Sequence, residues 1–447
     1  MTTNLEPEGP PWDTEALVAA DKKHVWHPFT PMAQWMAADH DPLVIVGGEG
    51  AWLWDSRGRR YLDGNASIWT NIHGHGHPKL CEALHRQIDT LAHASFLGFT
   101  NPWAIRLAER LTALFPADTL TRVFYSDNGS TAIESAVKMA IQFRQQNGEP
   151  QRTRFAAFSK AYHGDTMAAS SLGGVSTFVA RFHDFGLHPL RVDSLADLVA
   201  LPEETIRTLT AVVIEPMIQG VNRMALWPRG MLRALRAWCD EHDVFLILDE
   251  VMTGFGRTGK MFACQHEDVL PDFLCMAKGI TGGTMPLAAT LTTERIFRGF
   301  LNGGPADRTF YYGHSYCGNP LGCAAALASL DLFEEERTLQ QLPGKEAVLA
   351  AELSQLQASN PRFVSAVRQL GLIAAVDLVR DSATATPWPS SVQMGSMVCE
   401  AARAFQVLTR PILDTLVIMP PLCIRPDELR PLVAGLSKAI GMTCSGV

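Results

Sequence analysis

The sequence predicts an α/β protein built on a mainly parallel sheet with helices on both faces. Three observations carry that prediction. Short, nearly continuous apolar runs recur through the middle of the chain, as strands buried on both faces require. Amphipathic stretches of helical period alternate with them. Several runs end in polar or glycine-rich turns, the place where open α/β sheets bind ligands.

In chain order, residues 1–65 read as an arm and a short meander. Strands at 44–46 and 51–55 are separated by Gly47-Gly48-Glu49-Gly50, and after a turn at 56–59 the extended chain resumes at 61–64. Helices follow at 78–91 and 102–114. Strands are expected at 122–125, 155–158, 211–214, 244–248, 273–276 and 287–291. A helix is expected at 228–242, with Pro228 suitably near its start, and a longer one at 320–336. Beyond it, 364–379 suggests strands, 391–405 a helix and 416–420 a last strand. The expected division is an arm and small-domain segment at 1–65, a large domain at 66–337 and a C-terminal small domain at 338–447.

A chain of 447 residues is too long for one compact core and fits roughly two or three packed lobes. With 47% hydrophobic and 19% charged residues it has the balance of a soluble globular protein. A net charge of -8 argues against an electrostatic grip on nucleic acid or on an anionic membrane. No apolar run approaches the ~20 residues that span a bilayer. Residues 1–11 are acidic and contain proline, unlike a signal peptide. The nine cysteines are scattered with no C-x-x-C pair, which argues against a disulfide framework or structural zinc and for a reduced, cytoplasmic setting.

Four strand ends carry chemistry. Ser126-Asp127-Asn128-Gly129-Ser130-Thr131 opens a helix with small residues, whose N–H groups and dipole favour an anion such as phosphate; an ordinary capped helix reads the same way. Asp249 closes a strongly apolar strand, where a carboxylate needs a cation such as a pyridinium N–H, or simply caps the next turn. Lys278 follows another apolar strand, where burial eases loss of its proton for Schiff-base chemistry; a lone lysine there can also snorkel to the surface. Tyr162, in Lys160-Ala161-Tyr162-His163-Gly164-Asp165-Thr166, is either a ring stacker or a packed turn residue. Together the four supply an anion cradle, a ring stacker, a ring-nitrogen acid and an amine nucleophile. Those are the parts that pyridoxal phosphate needs. His73, His75 and His77 alternate between glycines and a proline and read as a loop rather than a metal site, and no metal is expected. Glu215 ends a strand beside the expected site and reads as structural or as a support for the residues around it, and Arg257 as a residue that holds the fold rather than a substrate ligand.

The stretch Leu248-Asp249-Glu250-Val251-Met252-Thr253-Gly254-Phe255-Gly256-Arg257-Thr258-Gly259, continued by Ala277-Lys278-Gly279-Ile280-Thr281-Gly282-Gly283, closely resembles the signature of the class III (omega-type) aminotransferases of fold type I. Trp26-His27-Pro28-Phe29-Thr30-Pro31-Met32, the segment 67–75, Tyr162 to Thr166 and Thr409-Arg410-Pro411 resemble the biotin-pathway branch of that family. The resemblance implies a seven-stranded large domain with a small α+β domain, pyridoxal 5′-phosphate as cofactor, small-molecule substrates, and a homodimer with active sites at the subunit interface. It implies Lys278 as the Schiff-base lysine, Asp249 on the ring nitrogen, and Val251 and Tyr162 on the two ring faces. Gly129 and Ser130 would take the phosphate, and Ser315 would reach the neighbouring subunit's phosphate.

Arg410 would bind the carboxylate of the acceptor, 8-amino-7-oxononanoate, with Trp69 along its apolar part. Phe29, Asp165 and Gly313 would complete the substrate site, Asp165 either orienting the donor amine or holding the turn after Tyr162. The donor the branch implies is S-adenosyl-L-methionine. Phe29, Ile68, His314 and Val417 depart from that pattern, and 313–316 with 364–380 look more like a branch using L-lysine. Another ω-amino-acid aminotransferase, or a racemase or aminomutase of the same fold, would keep Lys278, Asp249 and Tyr162 without needing Arg410 with Trp69.

Overall fold

Strands β1 (Ile45–Glu49), β2 (Trp52–Asp55) and β3 (Arg60–Asp63) form an antiparallel meander at the start of a computed structural model that describes residues 12–301 and 307–447. Residues 1–11, read above as unlike a signal peptide, lie outside the described residues. Gly47 and Gly48, expected in the loop, belong to β1. A Cβ on Gly47 would stand 2.2 Å from Trp54 Nε1 and one on Gly48 2.8 Å from His75 Cβ, so only glycine lets this strand lie under its neighbours.

The central sheet uses β4 (Arg122–Ser126), β5 (Arg154–Phe158), β6 (Leu190–Val192) and β7 (Leu209–Ile214), then β10 (Phe245–Asp249), β11 (Phe273–Met276) and β12 (Ala288–Thr292). A two-stranded ribbon, β8 (Ile218–Gln219) with β9 (Ala225–Leu226), lies between β7 and β10 in the chain. The order across the sheet is β4-β12-β11-β10-β7-β5-β6, with β12 antiparallel to both of its neighbours and the other pairings parallel. Every residue of β7, β10, β11 and β12 is buried, which is why these strands read as unbroken apolar runs. β6 was not expected: three residues at a sheet edge are too few to show a period.

Helix Gly129–Gln146 lies on the sheet through Ala132, Ala136 and Ala140, all buried. Their small size lets Thr290 Oγ1 donate to Ala132 O at 2.8 Å. Helix Met231–Glu241 begins three residues later than expected, after Gly230 at φ 81°. Helix Pro320–Glu335 ends as the sequence suggested.

The C-terminal region forms an antiparallel sheet, β13 (Val364–Leu370), β14 (Ile373–Leu378), β17 (Thr415–Ile418) and β16 (Pro411–Ile412) in that order. β15 (Val407–Leu408) instead adds in parallel to β3, tying the N-terminal meander to this end of the molecule. The expected helix at 391–405 is Met394–Ala402 followed by a 3-10 turn. Helices Thr338–Ser359 and Pro426–Ser445 are additions to the sequence reading; each carries an internal proline, Pro343 and Pro431, that disguises it.

Candidate active site

The carboxyl ends of β4, β5, β7, β10 and β11 lie on one edge of the sheet, and a cavity of about 850 Å³ opens there. β10 ends in Asp249, which is 5% exposed. β11 ends at Met276, and the chain turns through Lys278 at φ 48°, a left-handed conformation uncommon for a residue with a side chain. Lys278 lines the cavity, its Nζ 5.0 Å from the centre of the Trp69 ring. Burial lowers its pKa below the ordinary lysine value, against the attraction of Asp249 and Glu215. The side chain is nonetheless partly exposed to the cavity, which moderates that burial.

Asp249 is held from two sides. His163 Nδ1 lies 2.8 Å from its Oδ2, and Val251 N donates to its Oδ1 at 3.1 Å. Both side chains of the Asp249–His163 pair are buried, and His163 Nε2 has no partner among the described residues. Glu215, at the end of β7, also lines the cavity. It accepts from Tyr162 N at 3.1 Å and Gly220 N at 2.8 Å. Burial above all raises its pKa to about 7, the nearby Asp249 charge adding to the rise and His163 opposing it. Glu215, read in the sequence as structural or as a support beside the site, lines the cavity itself, and so does His163. The Tyr-His-Gly and Glu-Pro strand ends were the available signals, but only the fold brings them against Asp249.

Opposite Asp249, Asn128 caps the long helix that begins at Gly129, its side chain accepting from Thr131 N at 3.1 Å. A Cβ on Gly129 would lie 2.7 Å from Val251 Cγ1, so the helix start and Val251 meet only because residue 129 has no side chain. Gly164, at φ 122°, passes as closely over Ser130, where a Cβ would stand 2.2 Å from the hydroxyl. Tyr162 lines the cavity between Phe178, in edge contact, and Asp165, whose Oδ2 accepts its hydroxyl at 2.6 Å. Asp165 itself is exposed and outside the cavity, which fits holding the turn after Tyr162.

Phe29 and Arg410, both exposed, line the cavity at its mouth, and the half-buried Trp69 and buried Val417 line it further in. Phe29 is 58% exposed and sits at φ 51°. Arg410 makes no ion pair among the described residues. Gly313 and Ser315 are exposed and do not line the cavity of their own chain. The three alternating histidines diverge: His73 meets Ser329 Oγ at 3.0 Å, His75 meets Asp63 Oδ2 at 2.9 Å and His77 meets Glu336 Oε1 at 3.0 Å. Arg257, fully buried, donates to the carbonyls of Pro420 and Asn71 and ties two loops together.

The family model "Aminotransferase class-III" matches residues 35–440. This chain is a class III aminotransferase. The aminotransferase is 45% identical to the adenosylmethionine-8-amino-7-oxononanoate aminotransferase of Geobacter sulfurreducens, over 98% of this chain and 100% of that one. A crystal structure of the protein so named from Methanocaldococcus jannaschii superposes with a TM-score of 0.92 at 37% identity, covering 96% of this chain and 99% of that one. A PLP-bound amine transaminase from an uncultivated Pseudomonas species matches with a TM-score of 0.84 at 36% identity, covering 94% and 98%.

Class III aminotransferases depend on pyridoxal 5′-phosphate, and the residues of this aminotransferase fit it. Asp249 is a buried carboxylate with its Lys278 partner across a cavity, and the glycine-lined helix start faces the same space. Among the described residues no helix is long and apolar enough to cross a membrane.

Proposed function

We propose that this aminotransferase moves the amine of S-adenosyl-L-methionine to the ketone of 8-amino-7-oxononanoate, giving 7,8-diaminononanoate for biotin biosynthesis. One observation carries the reading beyond the family: Arg410, Trp69 and Lys278 face one cavity. A guanidinium at the mouth, an indole wall and an amine at the floor match an acceptor with a carboxylate, an aliphatic chain and a ketone. The end-to-end similarity to relatives named for this reaction supports it.

When bound, pyridoxal phosphate supplies an electron sink for negative charge developing at the donor's α-carbon. Lys278 would hold the cofactor and act as the base that takes the proton from that carbon, a task that the lowering of its pKa by burial favours. Asp249, clamped by His163 and Val251 N, keeps the ring nitrogen protonated. Val251 and Tyr162 pack on the two ring faces, with Asp165 fixing the tyrosine hydroxyl. Gly129 and Ser130 take the phosphate at the helix start. Arg410 binds the acceptor carboxylate through paired hydrogen bonds. Gly313 and Ser315, exposed and absent from the lining of their own cavity, act in the site of a second copy, and the working unit is a homodimer in the cytoplasm.

Phe29, Ile68 and Val417 line the cavity without a hydroxyl among them. These three positions offer an adenosine moiety no hydroxyl, and this favours L-lysine as a second donor reading. Purified holoenzyme mixed with each donor alone decides the matter: bleaching of the cofactor absorbance by adenosylmethionine and not by lysine supports the first reading, and the opposite result the second. Failure to aminate 8-amino-7-oxononanoate after either half-reaction, with isomerised amino acid as the only product, would sink both readings in favour of a racemase or aminomutase.

A further inference from the structure

We propose that Asp63 is a positioning residue of this enzyme, clamping a left-handed turn that holds Ile68 and Trp69 as a wall of the active-site cavity. Four consecutive residues with side chains, Ala66, Ser67, Ile68 and Trp69, have φ of 44°, 48°, 64° and 66°. Such residues enter the left-handed region singly and at a cost, not in runs, so the surroundings must enforce this one. Apolar burial holds only the ends of the run: Ala66 is buried and Trp69 half-buried, while Ser67 and Ile68 between them are exposed.

The enforcing contacts are polar. Asp63, buried at the end of β3, accepts from Ser67 N at 2.9 Å and Ser67 Oγ at 3.3 Å on Oδ2, and from Asn65 N at 3.1 Å on Oδ1. His75 Nε2, at 2.9 Å from the same Oδ2, fixes the carboxylate from the other side. Asn65 closes the turn: its carbonyl accepts from Trp69 N at 2.8 Å and its side-chain oxygen from the indole Nε1 at 2.9 Å. Asp63 and His75 do not line the cavity, yet Trp69 stands over Lys278 through the turn they hold. The middle histidine of the alternating trio thus has a function, and it is to hold a carboxylate rather than a metal.

The inference rests on the reading that Trp69 walls the acceptor's apolar part. It is tested on holoenzyme with Asp63→Asn, His75→Gln, Ser67→Gly and the Asp63→Asn/Ser67→Gly pair. Displacing a wall of the site costs on the order of 10- to 100-fold in the step that uses it. Asp63→Asn is therefore expected to raise KM for the ketone by about that factor, with kcat and the donor half-reaction little changed; His75→Gln is expected to do the same more weakly. Glycine adopts φ near 48° freely. Ser67→Gly alone should raise the thermal midpoint by about 1–2 °C and, in the pair, recover part of the lost KM. A wild-type ketone KM in both Asp63→Asn and His75→Gln would overturn the inference. So would an unchanged or lowered midpoint in Ser67→Gly, which reads the strain even if Asp63→Asn does not fold. A wild-type enzyme inactive on the ketone overturns the proposed function instead, and the Ser67→Gly midpoint then still decides whether the turn is strained.

Discussion

Replacing Gly129 with alanine tests the phosphate cradle directly. The new Cβ would stand 2.7 Å from Val251 Cγ1 and 3.0 Å from Cγ2. That is roughly 0.8 Å inside the ~3.5 Å of ordinary carbon contact. Val251 cannot easily step aside: it is β-branched and stiff at χ1, and its N–H is tied to Asp249 Oδ1 at 3.1 Å. Overpacking of this kind costs about 1–3 kcal/mol. If the strain moves the helix start out of the geometry that takes the phosphate, the dissociation constant rises about 5- to 150-fold, at 1.4 kcal/mol per decade. The assay is titration of apoenzyme with pyridoxal phosphate, followed by absorbance. Val251→Ala removes the two colliding methyls, so the Gly129→Ala/Val251→Ala enzyme should bind the cofactor within a few-fold of Val251→Ala alone. Wild-type affinity in Gly129→Ala, or no rescue by the second change, would refute the placement of the cofactor phosphate at this helix start.

Lys278→Ala is expected to abolish turnover and the absorbance of covalently held cofactor, while the protein still binds pyridoxal phosphate weakly; retained activity would exclude Lys278 as the anchor. Arg410→Ala should raise KM for the acceptor about 10- to 100-fold through the loss of charge-assisted hydrogen bonds, and leave the donor half-reaction rate alone; an equal effect on both halves would count against it. Glu215 prints a pH dependence on the apoenzyme. Its pKa rises from 4.5 to about 7 on folding, so between those values the folded state holds a proton that the unfolded state has released. Stability therefore falls as pH rises through that window, by up to about 3 kcal/mol, and Glu215→Gln should flatten the fall. Denaturant midpoints of the apoenzyme across the window check this, and an identical slope in Glu215→Gln would remove the buried carboxyl as its source.

The chemistry of the site was readable because each key residue closes a conspicuous strand. Asp249 and Lys278 stand out at the ends of the all-apolar β10 and β11, and Gly129 at a capped helix start. His163 and Glu215 sit at equally visible strand ends, but nothing local says that a histidine will meet the carboxylate of a residue 86 positions away. The fold was readable where burial is two-sided and was hidden where it is not: β6 is too short, Gly47 and Gly48 look like a loop, and Pro343 and Pro431 interrupt two long helices.

By itself the sequence determined the α/β class, most strands of the central sheet and the identity of the reactive groups, because continuous apolar runs and the polar residues that end them are local properties. Tertiary structure alone decided how those groups meet: the strand order that gathers five strand ends on one edge, the left-handed turn that turns Trp69 over Lys278, and the exposure of Gly313 and Ser315 away from their own cavity. Pairing between distant segments and a backbone conformation that costs energy depend on contacts made across the whole fold, and no local pattern records them.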